Sequence, residues 1–322
     1  MNRVQPSSTF ELKGPDGGKL LGFLAALGAL AALTDALPDR DVRLSWTRKL
    51  VWRPILRILP PCSQDDLVHD LCVELKRHAE APEFVRLGDD LPVDPSTFRK
   101  FAEDAAAAAS ATSRRWADFA AAWGSETILT RKGVVEVTRF RTQAGQQRFL
   151  RLVRRLVEET SEEQIRSALV EPWAYEDDEP CMRWDPIDDR RYAYRADDPA
   201  KAQIHTVRGA NRMAVEALRL FATVPQGSRL ATTGFSSAGR SEGRRDVYLR
   251  WPIWNGFISA STVRSLLVRS DVWSEPLRLE ELRLLGIREI FECRRIGGTG
   301  TSRYRNFTTA RPLIAHSRSA AG

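Results

Sequence analysis

The hydrophobic positions change period several times along the chain, and each change marks an element. Thr9-Phe10-Glu11-Leu12-Lys13 alternates with the period of a half-buried strand, and so does Val42-Arg43-Leu44-Ser45-Trp46. Between them, Gly14-Pro15-Asp16-Gly17-Gly18 has the composition of a turn, and an apolar run extends from Leu20 to Leu33. Leu20, Leu24, Leu27 and Ala31 fall on one helical stripe, while Gly22, Ala25, Gly28 and Ala29 keep the rest of the surface small. A helix that is apolar nearly all round is expected to be buried. Pro38 ends it. The glycine-rich turn before it has neither the G-x-x-x-x-G-K-[ST] nor the G-x-G-x-x-G order, so it reads as a turn into a core helix. Pro54, Pro60 and Pro61 are expected to break regular structure after the second strand.

Capping residues set the next boundaries. Ser63, with Asp65 and Asp66 in the first turn and Lys76, Arg77 and His78 in the last, predicts a helix over 64–79. Asp94-Pro95 opens another, which runs into the Ala105–Ala109 tract and breaks near Ser110; Ser113 to Trp123 continues as helix and stops at Gly124. Thr127 to Arg141 predicts a strand pair turning near Gly133. Gln143 to Glu159 is amphipathic, with Phe149, Leu150, Val153, Leu156 and Val157 on one face. Ser161 with Gln164 forms a capping box for a further helix.

The acidic run Glu176-Asp177-Asp178-Glu179 is expected to be a solvated loop dividing the chain. That gives a mostly helical part over 1–175, holding the buried Ala/Leu/Gly helix, and a basic α+β part over 181–314. In the second part, Gly209 to Phe221 reads as a helix with Met213, Leu218 and Phe221 apolar and Arg212, Glu216 and Arg219 polar. Leu230–Phe235 and Asp246–Trp254 are strand-like, joined by a mobile Ser/Gly/Arg loop over 236–245. Short helices are expected over Ser261–Val268 and Leu279–Leu285, then Gly286 as a C-cap, a strand over Ile287–Ile296, a glycine-rich loop, and Arg303 to Phe307. Helices and strands mix without a regular βαβ beat. The class predicted is α+β, helix-rich in front and strand-rich behind.

Charge adds a direction to this picture. From Lys201 to Gly322 there are 20 Lys and Arg against 9 Asp and Glu, within a chain of net charge +7, so the first 200 residues are mildly acidic. Lysine occupies only seven positions. A coding bias toward arginine accounts for part of that, but less well for the asymmetry. A basic chain favours a polyanionic partner. Cys62, Cys72, Cys181 and Cys293 form no C-x-x-C pair and no zinc spacing, as expected of reduced thiols in a cytoplasmic protein. Leu20–Leu33 is too short to span a bilayer, and no basic segment leads into it, so no membrane partner is expected.

Residues for chemistry are sparse. His69 shares a helix face with Asp66 and Asp70, which reads as a solvated polar face, and His205 stands alone. Asp185, Asp188 and Asp189 have the oxygen chemistry of a magnesium site in a nuclease, although an Asp-Pro turn pairing with Arg190, Arg191 or Arg195 is the reading favoured. No cofactor is implied. What remains is arginine beside aromatic residues, the pairing used by surfaces that bind single-stranded nucleic acid. The candidate contacts are Arg208, Arg212, Arg294, Arg295, Arg303, Tyr304, Arg305 and Asn306, with Trp254, Tyr304 and Phe307 as stacking faces. The opposite reading makes Trp251 and Trp254 core residues and the arginines a solvated rim.

Several segments together resemble a known family. They are Leu21-Gly22-Phe23-Leu24-Ala25-Ala26-Leu27-Gly28, Trp184-Asp185-Pro186 with Asp189-Arg190-Arg191-Tyr192-Ala193, Thr206-Val207-Arg208-Gly209-Ala210-Asn211, Thr232-Thr233-Gly234-Phe235, Trp251-Pro252-Ile253-Trp254, Val263-Arg264-Ser265-Leu266-Leu267 and Tyr304-Arg305-Asn306-Phe307. The set is similar to CRISPR-associated proteins of about 300 residues from subtype I-G (formerly I-U) loci, over residues 9–314. The resemblance implies a subunit of a crRNA-guided interference complex, in which base pairing reads sequence and protein holds RNA and DNA backbones. Its implied partners are nucleic acid and the other subunits. A defence nuclease using Asp185, Asp188 and Asp189, and a protein-interaction scaffold, are the alternatives.

Overall fold

The apolar run from Leu20 forms the helix around which the rest is arranged. The computed structural model describes residues 7–77, 87–110, 113–143, 147–185, 205–241, 244–297 and 305–314. Strand β1 (Ser8–Glu11) leads through the predicted turn into helix α1 (Leu20–Ala36), whose residues from Leu20 to Leu33 are all buried. Strands β2 (Asp41–Arg48) and β3 (Trp52–Leu59) complete an antiparallel sheet of order β1-β3-β2. The expected break at Pro54 is therefore corrected, since Pro54 lies inside the middle strand. The physical reason is local. The β1–β3 pairing ends at Glu11 opposite Ile55, and one step further Leu12 donates its N–H to the Pro54 carbonyl at 2.9 Å. A strand residue points its N–H and C=O to the same side. The hydrogen that proline lacks thus faces the place where β1 has already ended.

Helices then dominate, as predicted. They are α2 (Gln64–Lys76), α3 (Pro95–Ala107) and α4 (Arg115–Trp123), followed by the hairpin β4 (Gly124–Leu129) and β5 (Val135–Val137), α5 (Phe149–Glu159) and α6 (Glu162–Val170). The Ser63–Asp66 and Ser161–Gln164 capping boxes both form, and Asp94 caps α3. Helix α7 (Arg208–Ala217) packs along α1. A Cβ at Gly28 would lie 1.8 Å from the Met213 carbonyl oxygen, so only glycine allows the two backbones this close.

Beyond α7 come the hairpin β6 (Thr223–Gln226) and β7 (Arg229–Thr232), then β8 (Phe235–Ser241) and β9 (Arg244–Trp254). Residues 236–245, expected as a mobile loop, mostly belong to these last two paired strands. Helices α8 (Ala260–Leu267) and α9 (Leu279–Leu284) precede β10 (Ile287–Gly297), β11 (Arg305–Phe307) and β12 (Arg311–Pro312). The second sheet has the order β11-β10-β9-β8, with β12 also pairing β10, all antiparallel. Segregated helices and antiparallel sheets make the fold α+β.

The core runs through both parts of the chain, from Leu12 to Ile314. Phe23 of α1 stacks on Trp46 at 5.9 Å and on Trp251 at 5.7 Å, and Trp251 stacks on Phe291 at 5.9 Å. The indole of Trp251 donates to the Gly17 carbonyl at 2.8 Å, and that of Trp254 to the Leu44 carbonyl at 3.1 Å. The acidic run is tied in too. Asp177 exchanges backbone hydrogen bonds with Thr206 and accepts from the Arg208 N–H at 2.7 Å. Among the described residues, no helix is long and apolar enough to cross a membrane.

Candidate nucleic-acid interface

The fold turns several candidate contacts inward. Arg212, expected as a nucleic-acid contact, is instead buried, its guanidinium donating to Glu216 at 2.9 Å and to the Leu75 carbonyl at 2.5 Å. The reason is that α7 is enclosed on every side, by α1, α5 and α6 among others, so its polar stripe has no route to solvent. Asn306 and Phe307 are about 1% exposed and cannot face a ligand; the Asn306 side chain accepts from the Phe307 N–H at 2.8 Å. Trp251 and Trp254 are core, in line with the alternative reading. Arg208 is half-buried and donates to the carbonyls of Glu159, Asp178 and Glu179, which joins the acidic run to α5. Arg294 is exposed beside Asp246, at 3.5 Å. Arg303 and Tyr304 lie outside the described residues, as do Asp188 and Asp189.

Two predicted residues do meet. Arg295 on β10 and Arg305 on β11 enter a cleft of about 1360 Å³ and join there Arg139 and Arg141, which sequence reasoning alone does not single out. The segment after β5 brings these two in. Phe140 and Thr142 point into the core, where Phe140 lies 4.9 Å from Phe221 and from Phe235, and Thr142 donates to the Met182 carbonyl at 2.7 Å. Arg139, Arg141 and Gln143 alternate with them and line the cleft. Gln143 and Arg305 exchange backbone hydrogen bonds of 2.8 and 3.1 Å, which fastens this segment to β11. The alternation Arg139-Phe140-Arg141-Thr142-Gln143 is the available signal. It is hidden because its charges sit in the acidic part of the chain.

Eight cations line the cleft against three carboxylates. The rim carries Arg131, Lys132, Arg148 and Arg151. All three carboxylates are engaged. Asp89 pairs with Arg151 at 2.6 Å and Arg154 at 3.1 Å. Asp90 holds Arg141 through two bonds of 2.6 and 2.9 Å, and accepts the Phe149 N–H at the start of α5. Glu136 accepts the Leu230 N–H at 3.2 Å. Among the described residues, none forms an ion pair with Arg139, Arg295 or Arg305. Arg295 is anchored by neutral groups, donating through Nε to the Arg139 carbonyl at 2.7 Å and through Nη2 to the Arg141 carbonyl at 3.1 Å.

Burial, then the charges of Arg305, Arg139 and Arg141, push the Arg295 guanidinium down to about 9. Burial with Arg141 and Arg139 lowers Arg305, and burial, opposed by Glu136 and reinforced by Arg229, lowers Arg139. Burial is the larger cause in each case and repulsion between the guanidiniums adds to it, so a bound anion would offset both. An arrangement of this kind presents an excess of positive charge to any anion that enters the cleft.

Asp185, the magnesium candidate within the described residues, is buried and accepts a 2.6 Å bond from the Tyr175 hydroxyl, which in turn accepts from Lys19 at 3.2 Å. Tyr175 and Arg183, on either side of this contact, sit in the left-handed region at φ 57°. No cluster of His, Cys, Asp and Glu among the described residues has the form of a metal site. Compared with known proteins, the chain matches no family model, no curated protein and no solved structure.

Proposed function

We propose that the chain binds nucleic-acid backbone through the basic cleft, as a non-enzymatic subunit of a CRISPR type I interference complex that holds crRNA, target DNA or both. One observation carries the binding part: eight cations line one cleft against three carboxylates, of which Asp90 and Asp89 hold only Arg141 and Arg151 of those eight, so the cleft keeps a large excess of positive charge. A surface with this charge excess gains free energy by releasing the counterions condensed on a phosphate backbone. The cleft exceeds the roughly 300–1,000 Å³ of ordinary small-molecule pockets, as a polymer requires. The complex-subunit part rests on the resemblance of residues 9–314 to subtype I-G proteins. Under this reading the protein contributes affinity and register, and base pairing contributes sequence.

The test is a filter-binding titration of the purified protein with labelled single-stranded RNA and with duplex DNA, at about 50 and 200 mM salt. Binding that weakens steeply with salt, and that drops when Arg303 and Arg305 are both changed to Ala, is the expected result. No binding to either nucleic acid at the lower salt overturns the reading and leaves a scaffold as the alternative.

A further inference from the structure

Resting on the nucleic-acid reading, we infer that Arg139, Arg295 and Arg305 form the seat of a single backbone phosphate, with Arg141 held out of that seat by Asp90. The three guanidiniums come from two separate stretches of chain, the segment after β5 and the β10–β11 pair, which the Gln143–Arg305 backbone bridge locks together. Arg295 is the fixed member. Two of the five N–H donors of its guanidinium are given to carbonyl oxygens, which set the plane of the fork without neutralising it, and three remain. This is how a ligand-binding arginine is prepared: oriented by the protein, but not discharged by it. Arg141, two residues along from Arg139 on the same side of its segment, shows the opposite arrangement, since both oxygens of Asp90 take its fork.

Three undischarged forks that line one cleft and lie close enough to repel one another suit a tetrahedral anion better than a planar one. A phosphate offers several acceptor oxygens and matches guanidinium geometry two bonds at a time; a carboxylate has only two oxygens to share. The surroundings favour a phosphodiester over a free phosphate ion. The cleft continues past the seat to Arg131, Lys132 and Arg148, none of which forms an ion pair among the described residues, and which neighbouring phosphates of the same strand would meet. With Arg295 held by two backbone carbonyls, the seat fixes register; the remaining cations add affinity with less geometric demand.

The test uses the full chain and two probes, a labelled single-stranded RNA and inorganic phosphate. The variants are Arg305→Gln, whose side chain is exposed, Arg139→Gln, and the rim control Arg131→Gln with Lys132→Gln, each checked for an unchanged melting curve. For RNA, each seat variant is expected to weaken binding about tenfold or more and to reduce the salt slope by about 0.7, one phosphate contact on a single strand. The rim control should weaken binding less per charge removed. If RNA binds but the seat variants behave as the rim control does, or leave affinity unchanged, the seat is wrong while backbone binding stands. If the wild-type protein fails to bind RNA or duplex DNA, the parent reading fails instead. Inorganic phosphate at fixed ionic strength separates the two sources. A phosphate-induced rise in melting temperature that the seat variants abolish, with no effect of those variants on RNA, would overturn the backbone assignment in favour of a free-phosphate site.

Discussion

Two groups of arginines in this molecule have opposite surroundings. Under α2, α4 and α7, Arg115 bridges Glu74 and Glu216, the latter at 2.7 Å; Arg212 pairs with Glu216, and Arg219 reaches Asp35 at 2.5 Å. Three arginines meet three carboxylates there. Burial works against the Arg115 charge, but Glu216 and Glu74 outweigh it and hold its guanidinium above the ordinary arginine range. Arg212, more deeply enclosed, is lowered by burial in spite of Glu216. In the cleft, three arginines meet no carboxylate among the described residues, and each is pulled below the ordinary range with no ion pair to offset burial. The lesson concerns charge matching rather than residue type. A matched buried cluster spends its cations on the fold, whereas an unmatched one in a cleft leaves its positive charge unneutralised by the protein.

The comparison can be broken most violently from the buried side. Glu216→Gln would leave Arg115 and Arg212 short of a partner in the core, and a loss of about 3–5 kcal/mol in urea unfolding is expected. Any protein that stays folded should bind RNA as before. The double change Arg139→Gln with Arg305→Gln should do the reverse. RNA affinity at low salt is expected to fall about a hundredfold, at about 1.5 kcal/mol per lost charged contact, while unfolding shows no loss because mutual repulsion is removed. A drop in stability instead would mean that these arginines serve the fold.

Asp90→Asn sharpens the contrast by moving one residue between the two classes. Arg141 would lose its carboxylate and join the seat, so RNA should bind a few-fold tighter with a steeper salt slope. Unfolding should become easier by about 1–3 kcal/mol, since a buried charged contact is lost. The smallest effect is chemical. Burial pushes the Cys72 thiol up to about 11 and that of Cys293 higher still, so neither should react with iodoacetamide at pH 8 in the folded protein, whereas half-buried Cys62 reacts slowly. Cys72 lies beside Arg212. Glu216→Gln should therefore speed its labelling, counted by mass spectrometry, and the cleft variants should not.

Much of the fold is legible in the sequence because its signals are local. The caps at Ser63, Asp94 and Ser161, the all-apolar α1 and the turn glycine at Gly286 each act within a few residues, and each appears where expected. Pro54 misleads because its effect depends on where a neighbouring strand stops, which is a tertiary fact. The site is half legible. Arg295 and Arg305 stand out in a basic, aromatic stretch, and they do line the cleft. Most of that stretch, however, is discharged by partners elsewhere in the fold, such as Asp118 for Arg264 and Glu275 with Glu292 for Arg250. Net charge along a chain counts cations; it cannot say which ones find a carboxylate. Arg139 and Arg141 escape notice for the same reason in reverse.

Helix α1 has a consequence for how the protein is made. It leaves the ribosome apolar on every side from Leu20 to Leu33, and the residue that closes over its start, Trp251 against Gly17, lies 234 positions later. At about 5–20 residues per second, some ten to fifty seconds pass before that cover has been synthesised. During that interval the most insoluble segment of the molecule has only β2, β3 and the early helices to lean on. An exposed apolar segment of this kind is the sort of surface that aggregates before folding is complete. Cutting it between its acidic and basic parts would give two aggregating fragments rather than two domains.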